Sequence, residues 1–216
     1  MIRERLPVTL KIGLLGFLIT FVVAIPIGVI AAVKKNTIVD YISMSGILLG
    51  MAVPTFWFGM LLLYVIGYKL RWFPISGYES IRHLILPSFA IGFTNAAATA
   101  RMVRSNMLEV LKQDYVRTAR SKGLLEKIIV YKHALKNALI PVITIMGLRL
   151  GWILGGSVAL EIIFSIPGLG RLMIDSILAR DYPVVQGAMV VLTSSIILAN
   201  ILADILYAVV DPRIRY

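Results

Sequence analysis

Arg149, Asn200 and Asp204 place charged or polar groups inside stretches of chain that are otherwise apolar. Such groups are costly in hydrocarbon and usually face a bundle interior or a water-filled path. Arg149 and Glu161 stand 12 residues apart. That is about 18 Å along a helix, so they cannot pair directly. Arg149 and Asn200 fall at similar depth in their apolar runs, and Asn200 and Asp204 share a helix face at i, i+4. The spacing groups Arg149, Asn200 and Asp204 into one cluster. It could line a path for a polar solute, or it could be a buried pairing that holds two helices together. Glu161 falls near the end of its run, where a carboxylate can reach water.

Other chemistry finds little support. The chain has no cysteine, and its two histidines, His83 and His133, are far apart. No spacing of His, Asp or Glu suggests a metal site. Ser43, Ser45, Ser194 and Ser195 have no base near them in sequence. A phosphate-cradling G-x-x-x-x-G-K-[ST] loop is absent. No cofactor, catalytic residue or ATP hydrolysis is expected of this chain.

The elements that must position these groups follow from composition. Of 216 residues, 59% are hydrophobic and 15% charged, and the mean hydropathy is +0.88. Soluble domains carry about 25% charged residues, so a lipid bilayer is the expected solvent. The net charge of +11 could suit nucleic acid. Beside runs this apolar, membrane topology is the simpler cause, and no nucleic-acid partner is expected. Runs without charge at 12–33, 41–68, 84–100 and 182–203 are long enough to cross hydrocarbon. A fifth, 138–160, contains Arg149. The Arg costs about 2.5–3.5 kcal/mol, and each Leu or Ile returns about 0.3–0.6, so the run still inserts. With their flanks, the spans are predicted at about 8–33, 41–68, 84–103, 138–160 and 182–208. All belong to one transmembrane domain over 1–216. Pro54 predicts a tilt or kink in the second span. The expected fold is all-α, a polytopic bundle of about five spans.

Lys and Arg set the orientation. Thirteen lie in 34–40, in 101–137 and in the C-terminal tail, against eight in the N-terminus, 69–83 and 165–181. This predicts a multi-pass cytoplasmic-membrane protein with segment 104–137 and the C-terminus inside. The N-terminus then falls outside, against the preference of Arg3 and Arg5, which points to a span missing before them. The first run has 22 residues without charge. That is too long for a signal-peptide core, and it reads as a retained span.

Segment 104–137 is basic yet keeps Val116, Ala119, Leu124, Leu125, Ile128, Ile129 and Leu135. A loop needed only for its charge has little reason to carry them, whereas a short helix docking into a partner's groove does. Gly123 suits a turn between two short helices. The strings "DYVRTARSKGL" and "HALKNALIPV" resemble the cytoplasmic coupling loop of ABC-transporter permeases, most closely the dipeptide/oligopeptide/nickel branch. "LEIIFSIPGLGRLMIDSILARDYPVVQG" and "ANILADILYAVVDPRIRY" are similar to the same branch. Ala119, Gly123 and Leu135 match the general permease motif, and the departures look like those of the peptide branch. Members usually begin with one more span than this chain has.

The resemblance implies a type I importer permease. It implies an ATPase-coupling surface at Asp114, Tyr115, Arg117, Ala119, Lys122, Gly123, Leu124, His133 and Leu135. Small residues at 119 and 123 would allow close approach to the ATPase. It also implies external-gate or binding-protein contacts at Pro167, Gly168, Gly170, Arg171, Asp175 and Asp181. The implied partners are a homologous second permease, two cytoplasmic ATP-binding subunits, an extracytoplasmic substrate-binding protein and the bilayer. Gly147, Gly151 and Gly155 have small-xxx-small spacing, as do Gly46 and Gly50, which suits close helix packing. A different class remains open: an ion-coupled secondary transporter or channel using Arg149 and Asp204 as charge relays.

Overall fold

The computed structural model describes residues 1–154 and 158–210; for 153, 154, 204 and 206–210 it describes the backbone only. The described residues are mostly helical and contain no strand. The helices are α1 (Ile2–Val33), α2 (Ile38–Ala52), α3 (Thr55–Leu62), α4 (Arg82–Val110) and α5 (Asp114–Ser121). They continue with α6 (Glu126–Ile128), α7 (Leu135–Leu154), α8 (Val158–Ile163), α9 (Leu169–Leu178) and α10 (Tyr182–Val210). π-helical turns extend α3 over Leu63–Lys69 and link α6 to α7 over Ile129–Ala134.

The pairing of α1 with α4 is the spine. α1 buries Gly16, Thr20, Ala24 and Gly28, a stripe of small residues at intervals of four. This spacing keeps one face thin enough for backbones to approach. A Cβ at Gly28 would lie 2.7 Å from the Ala100 carbonyl oxygen, and one at Gly92 would lie 2.8 Å from the Gly16 carbonyl oxygen. A backbone oxygen cannot swing aside as a side chain can. Gly28→Leu is therefore expected to destabilise the folded chain by about 1–3 kcal/mol or more, the usual cost of overpacking, read as a lower unfolding midpoint in detergent. Thr20 donates to the Gly16 and Gly92 carbonyls at 2.9 and 3.3 Å, which bonds the two helices at the same level.

α4 explains its own modest hydropathy. Ser88 and Thr99 are buried in it, with hydroxyls donating to the Ile12 carbonyl at 3.2 Å and the Asn95 carbonyl at 3.0 Å. Packed between α1, α2, α3 and α7, this helix meets protein more than lipid, so polar residues cost it little. It also runs to Val110, past the predicted span end at 103, and α1 begins at Ile2 rather than near 8. Among the described residues, three helices are long and apolar enough to cross a membrane, or four if α2 and α3 form one span.

The kink expected at Pro54 is a break of 103° between α2 and α3 with its π-helical turn. Val53, the residue before proline, is extended at φ −86° and ψ 123°. Clash with the proline ring disfavours helix there. α3 then docks on α4 through stacked Phe58 and Phe93, with ring centroids 4.9 Å apart, and a Thr55–Thr94 hydroxyl bond of 3.0 Å. On the other flank, Gly147 and Gly151 of α7 pack against α10, where a Cβ at 147 would meet that of Ala203 at 3.5 Å. Gly155 lies outside the described residues. Gly50 meets Ala97, but Gly46 faces open space.

Candidate functional site

The basic end of the bundle carries a helix that stands clear of the spans. α5 is short and amphipathic: Val116 and Ala119, at i and i+3, bury against Ile129 and Leu111. Its C-terminus closes as a Schellman turn. Gly123 N–H donates to the Arg120 carbonyl at 2.9 Å, and Leu124 N–H to the Ala119 carbonyl at 3.3 Å. The turn needs the left-handed conformation, which Gly123 adopts at φ +74°, and a Cβ there would meet nothing within 4 Å. Two side-chain pairings hold α5 in place. Arg120 donates to the Glu126 carboxylate at 2.8 and 3.0 Å, and Asn137 of α7 donates to the Tyr115 hydroxyl at 2.8 Å.

This geometry sorts the residues implied by the coupling-loop resemblance. Asp114, Tyr115, Arg117, Lys122, Gly123 and Leu124 lie on the exposed side. Ala119 turns inward and is 7% exposed. Its small size serves packing beneath α5, against Val116 and Ile129, rather than the close approach to a partner expected at this position. Leu135 packs against the main core, and the half-buried His133 gives its carbonyl to Asn137 at 3.3 Å.

Near the same end, α2 is tied to α4 by a contact that no sequence spacing announced. Arg104 Nε and Nη2 donate to Asp40 Oδ1 and Oδ2, both at 2.7 Å, and Asn36 N–H donates to Oδ2 at 3.0 Å. Asp40 is buried, and the Arg104 hydrogen bonds hold its carboxyl below the usual carboxylate range. The only local signal was an acid in the first turn of α2. Its partner lies 64 residues on.

At the opposite end, the short helices α8 and α9 fold back on α1. Glu161 does not reach water there, as its place in the sequence suggested; it is 2% exposed. Thr9 of α1 donates to its Oε1 at 2.7 Å, and Arg171 N–H donates to Oε2 at 2.8 Å. Gly168 and Gly170 are buried around this carboxylate and offer no surface to a partner. Pro167 and Arg171 are half-buried, while Asp175 and Asp181 are exposed. Arg171 pairs with Asp175 at 3.7 Å, and Asp181 accepts from Val184 N–H at 3.3 Å at the start of α10.

The mid-bundle cluster is not assembled as expected. Asn200 Oδ1 is buried with no partner among the described residues, lying 2.5 Å from where a Cβ at Gly151 would stand. Arg149 is exposed on α7, beside exposed Leu148 and Trp152, with no ion pair or hydrogen bond among the described residues. No hydrogen bond joins it to Asn200. The side chain of Asp204 lies outside the described residues.

Comparison with known proteins adds an independent line. In sequence the chain is 45% identical over 226 residues to the oligopeptide transport system permease protein AppB of Bacillus subtilis (strain 168), covering all of this chain and 72% of that protein. It is 40% identical over 243 residues to the dipeptide transport system permease protein DppB of Escherichia coli (strain K12), covering 98% of this chain and 72% of that one. In structure it is similar to a chain of the MetNI methionine ABC transporter in an inward-facing conformation. The TM-score is 0.80 at 18% identity, over 96% of this chain and 95% of that one. A chain of an amino acid ABC transporter with histidines superposes with a TM-score of 0.71 at 16% identity, over 99% and 94% of the two chains. At such identities the structures speak for the fold alone. Residues 24–216 match the family described as binding-protein-dependent transport system inner membrane component. With that match, this bundle and relatives of this identity, the chain belongs to that family, the permease subunits of ABC importers.

Proposed function

We propose that the chain forms half of a membrane path for peptides and that α5 is the handle by which a cytoplasmic ATPase drives it. A homologous permease supplies the other half, two ATP-binding subunits supply the energy, and an extracytoplasmic binding protein delivers the substrate. The end carrying α5, together with the C-terminus, faces the cytoplasm. The observation that carries this reading is α5 itself: a braced, basic, solvent-exposed helix ending in a glycine turn with nothing over it. The names of the relatives point to peptides as cargo. Closure of the ATPases would move α5 and tilt the spans behind it, exposing the path to each side in turn. The path is placed along the α7 face bearing Arg149 and near Asn200 and Asp204, since an exposed arginine at that depth is too costly to face lipid. The half-buried and exposed residues Pro167, Arg171, Asp175 and Asp181 face the outer side.

Vesicles holding the complete complex, with ATP inside and binding protein with labelled dipeptides or oligopeptides outside, test the reading. ATP-dependent accumulation is expected. Arg149→Leu is expected to lower uptake about 10- to 100-fold with normal assembly, the loss of one charge-assisted hydrogen bond to a passing solute. The unpartnered Arg149 also suits an ion-coupled carrier. Uptake driven by an ion gradient without ATP would favour that class.

A further inference from the structure

We propose that Glu161 is a positioning residue that fastens the outer-gate segment to α1, so that α9 and α1 travel as one body during transport. The inference rests on the reading of the chain as an ATP-driven permease. Both carboxylate oxygens are committed, Oε1 to Thr9 of α1 and Oε2 to the Arg171 N–H. The Thr9 hydroxyl in turn accepts from Leu169 N–H at 2.8 Å. These bonds join α1, α8 and α9 in a closed circuit. The first N–H groups of α9 need acceptors and carry its partial positive charge. Gly168, at its N-cap, has no side chain to offer them. The acceptors come instead from Glu161 of α8 and Thr9 of α1.

The fit is close. A Cβ at Gly168 would fall 2.2 Å from the Glu161 carboxyl carbon, and one at Gly170 would fall 2.7 Å from Val158 Cγ2 and 3.0 Å from Glu161 Oε2. The carboxylate fills its own cradle, which leaves no room for a ligand. Apolar contacts already hold α9 to α1, since Ile2 and Leu6 pack against buried Leu169 and Leu172. A buried carboxylate adds little net stability over such packing, because desolvation offsets its hydrogen bonds. What it adds is direction: three fixed bonds set the angle and register of α9 on α1. α1 runs the length of the bundle along α4, and α4 ends three residues before α5. Displacement of α5 thus has a packed route through α4 and α1 to the outer segment, and Glu161 is its last link.

The test uses the assembled importer with its binding protein. Glu161→Met removes the acceptor from the Arg171 N–H and from the Thr9 hydroxyl at similar side-chain length, and Thr9→Val removes the relay hydroxyl. Both are expected to assemble, keep basal ATPase activity, and lose at least tenfold in peptide uptake and in stimulation of the ATPase by loaded binding protein. Thr9→Ser, which keeps the hydroxyl, is expected to behave as the parent. A second arm does not depend on how the variants fold. The chain lacks cysteine, so Leu6→Cys and Met173→Cys can be joined by a short bifunctional thiol reagent. If α1 and α9 move together, the joined complex still transports. Uptake at the parent's rate by Glu161→Met and Thr9→Val, or transport stopped by the cross-link, overturns the proposal. A parent complex that takes up no peptide with ATP overturns the functional reading itself, and the latch with it.

Discussion

Gly123→Asp is expected to abolish peptide transport and ATPase recruitment while leaving membrane insertion intact. Two effects contribute, and a substitution series separates them. The first is backbone strain, because position 123 sits at φ +74°, which costs an ordinary L-residue about 1–2 kcal/mol. Asn and Asp visit this region more readily than other residues. The second is charge. α5 and its turn present Arg117, Arg120 and Lys122, so a cleft that accepts them complements positive potential, and a carboxylate at its centre is repelled. Gly123→Asn is therefore expected to retain most ATPase binding and Gly123→Ala to lose part of it. Gly123→Asp should lose roughly a hundredfold or more, from about 3 kcal/mol of combined strain and repulsion. Among the described residues, chain neighbours aside, nothing lies within 4 Å of a Cβ at this position, so a loss beyond that of Gly123→Ala reports on the partner rather than on strain in this fold. Co-purification of the ATPase with each variant, at equal membrane content, gives the measurement. Undiminished binding by the aspartate variant would contradict the assignment.

The second large effect is expected at the Asp40–Arg104 pair. Arg104→Ala leaves Asp40 buried, with side-chain exposure of 4%, and without its main partner. Breaking a buried pair in this way costs about 3–5 kcal/mol. Replacing both residues with leucine is expected to restore much of that loss, since no lone charge then remains. The pH dependence follows from the sign of the shift. Asp40 titrates lower in the folded chain than the ordinary value of 3.8. Its contribution is thus complete above 3.8 and declines only as pH falls toward the depressed value. The difference in unfolding midpoint between the parent and Arg104→Ala should stay constant from neutral pH down to that region and shrink below it.

Much of this organisation was legible in the residues. Length and hydropathy located the apolar helices, Pro54 marked the break in the second span, and Gly123 marked the end of α5. These signals are local: a proline or a left-handed glycine acts on the chain within a few residues. The helix ends were less legible, because α4 continues past its apolar run into residues shielded by other helices. Contacts between distant residues were not legible at all. Asp40 and Arg104 are 64 residues apart, and Thr9 and Glu161 are 152 apart. Only the fold brings either pair together. The same gap explains Ala119, whose small size looked like an invitation to a partner until the packing of Val116 and Ile129 around it was visible. It also explains Arg149 and Asn200, where equal depth along two helices did not fix the direction in which each side chain points.

The central claim, that a cytoplasmic ATPase grips α5, is tested most directly by a single cysteine at exposed Arg117 in this otherwise cysteine-free chain. Its labelling by a membrane-impermeant maleimide should fail in intact cells. In inverted vesicles it should proceed without the ATPase and be suppressed when the ATPase is bound. Labelling from outside intact cells, or labelling in inverted vesicles that the ATPase leaves unchanged, would contradict the account.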